Sequence, residues 1–125
     1  MHKVDALALA IMREEGIFDR AVAWKNSNPG CLRSDPFEIG NIGGFAKFDS
    51  FAMGWMRLWA VLYQYIQNAK LGVSGAPMTI QDLINAYAPA SDGNDPVKYA
   101  NDVCELLGVQ PSEQLSWFLN DDEIE

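Results

Sequence analysis

The sequence predicts a mainly α domain with a small β-hairpin, an α+β class in which four to five helices surround a central apolar helix. Three observations carry this reading. Apolar residues recur at helical spacing between residues that cap helices; one long stretch, "FAMGWMRLWAVLYQYIQNAK", is apolar on nearly every side; and the single alternating segment, "PFEIGNIGGFAKF", is short and contains a Gly-Gly turn. A chain of 125 residues suits one domain with one core, residues 1–125, ending in an acidic tail at 120–125.

The elements follow in order. Val4, Leu7, Ala8, Ile11 and Met12 share one face of a first helix over residues 3–15, stopped by Gly16. A long irregular segment over 17–49, rich in Asn, Gly, Pro and Asp, contains the hairpin, with Gly43 and Gly44 at its turn and 45–48 as the returning strand. Ser50 caps the central helix, which runs until Gly72. Thr79 caps a third helix that places Ile80, Leu83, Ile84 and Tyr87 on one face and ends before Pro89. Asp95 and Pro96 open a fourth helix to Leu107, and Ser112 caps a short last one through Leu119.

Composition excludes several function classes. The net charge is −8, and residues 91–125 hold nine acids against the single base Lys98, so no basic stripe exists to displace counterions from phosphates: no nucleic-acid partner is expected. His2 is the only histidine, and Cys31 and Cys104 lack metal-type spacing, so neither a metal site nor a cofactor is expected. Sequence alone leaves open whether the two cysteines form a disulfide. Apolar runs fall short of a membrane span, and residues 1–16 lack the layout of a signal peptide, which predicts a protein made in the cytoplasm with no membrane insertion.

Two features carry chemistry. On a helical wheel Glu15 falls in the middle of the apolar arc of the first helix, and Glu14 falls on its rim beside Leu7. A carboxyl aimed at a core face resists ionisation, and a raised pKa is what a general acid needs near neutral pH. Glu15 is therefore the candidate catalytic acid and Glu14 the fallback; a purely structural glutamate fits the same spacing. The second feature is "NSNPGCLR". Pro29-Gly30 fits the centre of a type II turn with glycine at positive φ, a stiff corner that would fix the Asn26 and Asn28 amides and leave backbone N–H groups near Gly30 open to a ligand. A turn that only braces the loop is the alternative.

Taken together, "AIMREEG", "WKNSNPGCLR", "GGFAKFDSFAMGW" and "TIQDLINAYAPASDGNDPVKYANDV" resemble small lysozyme-like domains of phages, prophages and bacteria, in the superfamily of goose-type lysozymes and lytic transglycosylases. The resemblance covers residues 7 to about 109. It implies cleavage of the β-1,4 bond between N-acetylmuramic acid and N-acetylglucosamine in peptidoglycan, by one essential glutamate at the end of the first long helix. Glu15 matches that position. Asn28, Pro29 and Gly30 match the family's Asn-Pro-Gly loop beside the cleft, and the strand ending at Phe48 matches its hairpin strand. Tyr87 matches a tyrosine that approaches the acid. Asn28, Gly30, Phe48 and Tyr87 are thus the implied substrate-binding residues. The implied partner is a glycan strand of peptidoglycan; because the strong acidity fits badly with an anionic cell wall, a virion or delivery complex is expected as well, with action at the bacterial cell wall after delivery by a phage particle, a holin or a secretion machine.

The chain departs from the family pattern at Cys31, where the family usually shows another asparagine, and a thiol cannot copy an amide's paired hydrogen bonds. A non-catalytic lysozyme-like virion or secretion-complex protein is the alternative this raises, and chitin is an alternative substrate. Many glycosidases pair the acid with a second carboxylate roughly 5 Å away for retention or roughly 6.5–9.5 Å away for inversion. Asp19, Asp35, Glu38 and Asp49 lie in the loop region, and none is marked by its spacing. A single-glutamate route completed by the substrate's acetamido group or 6-hydroxyl is therefore expected.

Overall fold

A computed structural model describes residues 1–16 and 22–120. The Asp19 candidate and the acidic tail beyond residue 120 lie outside the described residues. Helix α1, Lys3–Glu14, is followed by a single helical turn, α2, Val22–Lys25, which the sequence pattern does not predict. Strands β1, Gly40–Ile42, and β2, Phe45–Lys47, form the antiparallel hairpin, with Ile42 opposite Phe45. Gly43 and Gly44 both have positive φ, as the two-residue turn that matches strand twist requires. Helices α3, Phe51–Leu71, α4, Ile80–Tyr87, and α5, Pro96–Leu107, complete the body. The mainly α class with one small hairpin is the observed one.

Caps set most boundaries. Ser50 accepts from the Met53 N–H, Thr79 and Asp82 form a reciprocal capping box, and Asp95 accepts from the Lys98 N–H with Pro96 at the first helical position. The last element departs from expectation: it is a 3₁₀ turn, Leu115–Leu119, and Ser112 does not cap it. Backbone bonds place it instead. The orphan N–H groups of Ile80 and Gln81 at the start of α4 donate to the carbonyls of Glu113 and Pro111 at 3.0 and 2.9 Å, and the Leu115 N–H donates to Met78 O at 2.8 Å.

One dry cluster unites the helices, with Leu7 and Ile11 of α1, Leu58 and Leu62 of α3, Leu83 of α4 and Val103 of α5 all buried in it. Helix α3 buries a single stripe, Gly54, Leu58, Leu62, Ile66 and Ala69, with partly buried rings on its flanks, while Phe51 and Met56 face solvent. Buried Lys3 ties the two ends together by donating to the carbonyls of Trp117 and Asn120 at 3.0 and 2.5 Å. Helix α1 lies along α5, which brings the end of α1 beside the first turns of α5. Among the described residues no helix is long and apolar enough to cross a membrane.

Candidate active site

Glu15 caps the C-terminus of α1, and Gly16 takes the left-handed conformation after it, so the helix stops just as the apolar arc reaches the carboxylate. The side chain is half-buried. Its Oε2 accepts from the Tyr99 hydroxyl at 2.9 Å, and its backbone carbonyl lies 3.9 Å from the Cys31 sulfur. Burial raises the carboxyl pKa above its ordinary value; the hydrogen bonds from Tyr99 and Cys31 and the positive charge of Arg33 pull the other way without cancelling it. Burial, with Glu15 next, pushes the Cys31 thiol up to about 12, so it stays a neutral donor beside the acid. The Tyr99 hydroxyl is raised by the same two causes and stays protonated.

The Asn-Pro-Gly corner is built differently from expectation. Cys31 N–H closes the turn onto Asn28 O at 3.1 Å, yet Gly30 does not carry the positive φ of a type II turn; Ser27 and Cys31 carry it instead, at 51° and 49°. Gly30 is needed for space. A Cβ there would sit 2.5 Å from the Tyr87 hydroxyl oxygen and 2.6 Å from Leu58 Cδ1. Gly54 plays the same part on α3, where a Cβ would meet Ser27 O at 2.0 Å. The loop can lie directly on the helix because both residues lack side chains.

The amides face inward. Asn28 is fully buried: its Nδ2 donates to Leu32 O at 2.9 Å and Ala46 O at 2.8 Å, and its Oδ1 accepts from the Leu32 N–H at 3.0 Å. Asn26, also buried, donates to Ile42 O at 3.1 Å and accepts the Phe48 N–H at its own carbonyl, 2.9 Å away. Both amides are therefore fixed, fastening the hairpin to the loop, while the Cys31 and Leu32 N–H groups after Gly30 are both taken up by Asn28, which corrects the expectation that the N–H groups there are open to a ligand. Phe48, expected to touch substrate, is sealed in a small core with Leu32 and Ala46. Gly30 is buried as well, and its carbonyl accepts from the Tyr87 hydroxyl. Tyr87 thus clamps the loop, near enough to the acid for burial and then the Glu15 charge to raise its hydroxyl, and Tyr99 is the tyrosine that hydrogen-bonds the carboxylate.

Sequence reasoning passes over Tyr99, although a signal exists. Tyr99, Ala100, Val103, Cys104 and Leu107 share the buried face of α5, and a tyrosine on such a face needs a partner for its hydroxyl. Among the described residues, the other acids of the loop region are engaged elsewhere or exposed. Asp35 is buried and ion-paired with Arg57 at 2.9 Å, Glu38 accepts from the Asp35 N–H, and Asp49 is exposed. Glu14 lies on another side, lining a pocket of about 250 Å³ with Arg13, Asp102, Glu105 and Leu106. Both cysteines are free thiols.

No protein-family model, curated protein or solved structure matches the chain.

Proposed function

We propose that this protein cleaves the β-1,4 bond between N-acetylmuramic acid and N-acetylglucosamine in peptidoglycan, with Glu15 as its acid and base. The observation that carries the reading is the setting of Glu15: a carboxyl at the end of the first helix, half-buried, raised in pKa by that burial and held by a neutral tyrosine donor. The resemblance of "AIMREEG" and "WKNSNPGCLR" to lysozyme-like domains supports the same substrate.

The reaction then runs on one side chain. Tyr99 fixes Oε2, which leaves Oε1 to carry the proton. Glu15 gives that proton to the glycosidic oxygen as the C–O bond breaks, and positive charge develops on the muramic ring. The resulting carboxylate takes a proton either from water, which adds to the anomeric carbon and makes a reducing end, or from the sugar's own 6-hydroxyl, which closes an anhydro ring. The first is a muramidase and the second a lytic transglycosylase.

One observation favours a second reading, a lysozyme-like virion or secretion-complex protein that does not cut. Cys31 stands where the resembled family has an asparagine, and its sulfur is directed at the end of α1. The deciding experiment is mass spectrometry of soluble fragments after incubation with purified peptidoglycan. Muropeptides with new reducing or anhydro ends support cleavage; an intact polymer supports the non-catalytic protein.

A further inference from the structure

Acid chemistry at Glu15 leaves one neighbouring group without a task. Arg33 lies three residues beyond Gly30, and its backbone carbonyl is pinned by Asn41 Nδ2 at 2.8 Å. Its guanidinium stands over the Phe45 ring, 4.3 Å from the ring centre, and reaches toward Asp92 Oδ2 at 3.9 Å. That separation is an ion pair too long for a hydrogen bond, and both side chains are well exposed, at 57% and 44%. The ring therefore supports one side of the guanidinium, and Asp92 is a loosely held partner for its Nη2. The positive charge also reaches the acid, where it opposes the effect of burial on Glu15.

We propose that Arg33 determines the specificity of the Glu15 site, binding a carboxylate on the glycan in the place that Asp92 now loosely fills. The proposal rests on a glycan occupying the Glu15 site. A planar guanidinium takes a carboxylate through two parallel N–H···O bonds, a geometry that Asp92 does not reach from 3.9 Å. Exchanging one carboxylate for another leaves the local charge balance unchanged, so the gain comes from geometry. Such a local contact matters in a chain of net charge −8, whose overall field repels an anionic polymer. A neutral chitin-type strand gains nothing from Arg33. In peptidoglycan the carboxylate has two sources, the lactyl ether of a bare glycan and the peptide stem.

The test is calorimetric titration of the Glu15→Gln protein, which binds without cutting, with three oligosaccharides of equal length: a bare muramyl glycan, the same glycan with its stems, and a chitin oligomer. A carboxylate-bearing strand should bind about three- to tenfold more tightly than the chitin oligomer, the range of an exposed ion pair that gains charged hydrogen bonds. Adding Arg33→Gln should erase that preference, and adding Asp92→Asn, which removes the competitor, should widen it. Which muramyl strand holds the advantage identifies the source of the carboxylate. A preference that survives Arg33→Gln, equal weakening of all three ligands, or no glycan binding at all overturns the proposal. An Arg33-dependent preference in a parent protein that leaves peptidoglycan intact keeps it and removes only the catalytic reading.

Discussion

Glu14 and Glu15 are adjacent in sequence and leave α1 into opposite kinds of surroundings. Glu14 faces charges: burial raises its carboxyl, Asp102 raises it further, and Lys98 and Arg13 pull it back. Asp102 is in turn held low, chiefly by the hydrogen bond from Lys98, 2.7 Å away. Glu15 faces neutral donors, Tyr99 and Cys31, and among the described residues Arg33 is the one charged group that shifts it. Both carboxyls are raised, so a raised pKa does not separate them. The difference lies in the company: Glu14 sits among the charges of Asp102, Lys98 and Arg13, whereas Glu15 is set against a hydroxyl and a thiol that stay neutral, a setting that suits a single-residue acid and base.

The contrast can be broken first through the support under Glu15. Gly30→Ala pushes a methyl into Tyr87 and Leu58, and overpacking of this kind should cost about 1–3 kcal/mol, read as a lowered melting temperature. An unchanged melt would mean that the loop does not rest on α3 and α4 as described. Tyr99→Phe removes one hydrogen bond to a carboxylate and should cost on the order of 1 kcal/mol. Because that bond favours the charged form, the variant should raise the Glu15 pKa further in a ¹³C carboxyl titration and leave Glu14 in place.

A third comparison concerns pH. A carboxyl whose folded pKa lies above its unfolded value helps the fold while protonated and loses that contribution as pH rises through the folded value. Glutamine has no such loss. Glu15→Gln should therefore melt above the parent at neutral pH, with the advantage fading as pH falls from the raised value to the ordinary carboxyl range and gone below it. The smallest effect is expected on the Glu14 side. Asp102→Asn removes a raising influence, so the Glu14 pKa should fall while Glu15 and the melting temperature stay where they are.

Legibility in the sequence followed the range of the forces involved. Local chemistry was readable: Ser50, Thr79 and Asp95 cap helices through bonds spanning three residues, and Gly43-Gly44 sets the hairpin turn. Helical periodicity likewise aimed Glu15 at the core face. What escaped were contacts between distant residues. Tyr87 and Tyr99 each lie on an apolar helix face, and only packing decides that one meets Gly30 across 57 residues and the other meets Glu15 across 84. The Asn28 amide was readable as rigid; its direction was not, since besides Leu32 in its own loop it bonds Ala46 on the hairpin, 18 residues away. The short last helix was readable to its end at Leu119; its 3₁₀ form and its start, placed by bonds to the start of α4, were not.

The central claim is that Glu15, and not its neighbour, moves the proton. Initial rates of fragment release from peptidoglycan by Glu15→Gln and Glu14→Gln, measured side by side with the parent, test it most directly. Glu15→Gln should lose roughly 10²–10⁴-fold, the usual worth of a positioned general acid, while Glu14→Gln keeps most of the parent's rate. Equal losses in the two variants, or a Glu15→Gln protein that cuts as fast as the parent, would contradict the account.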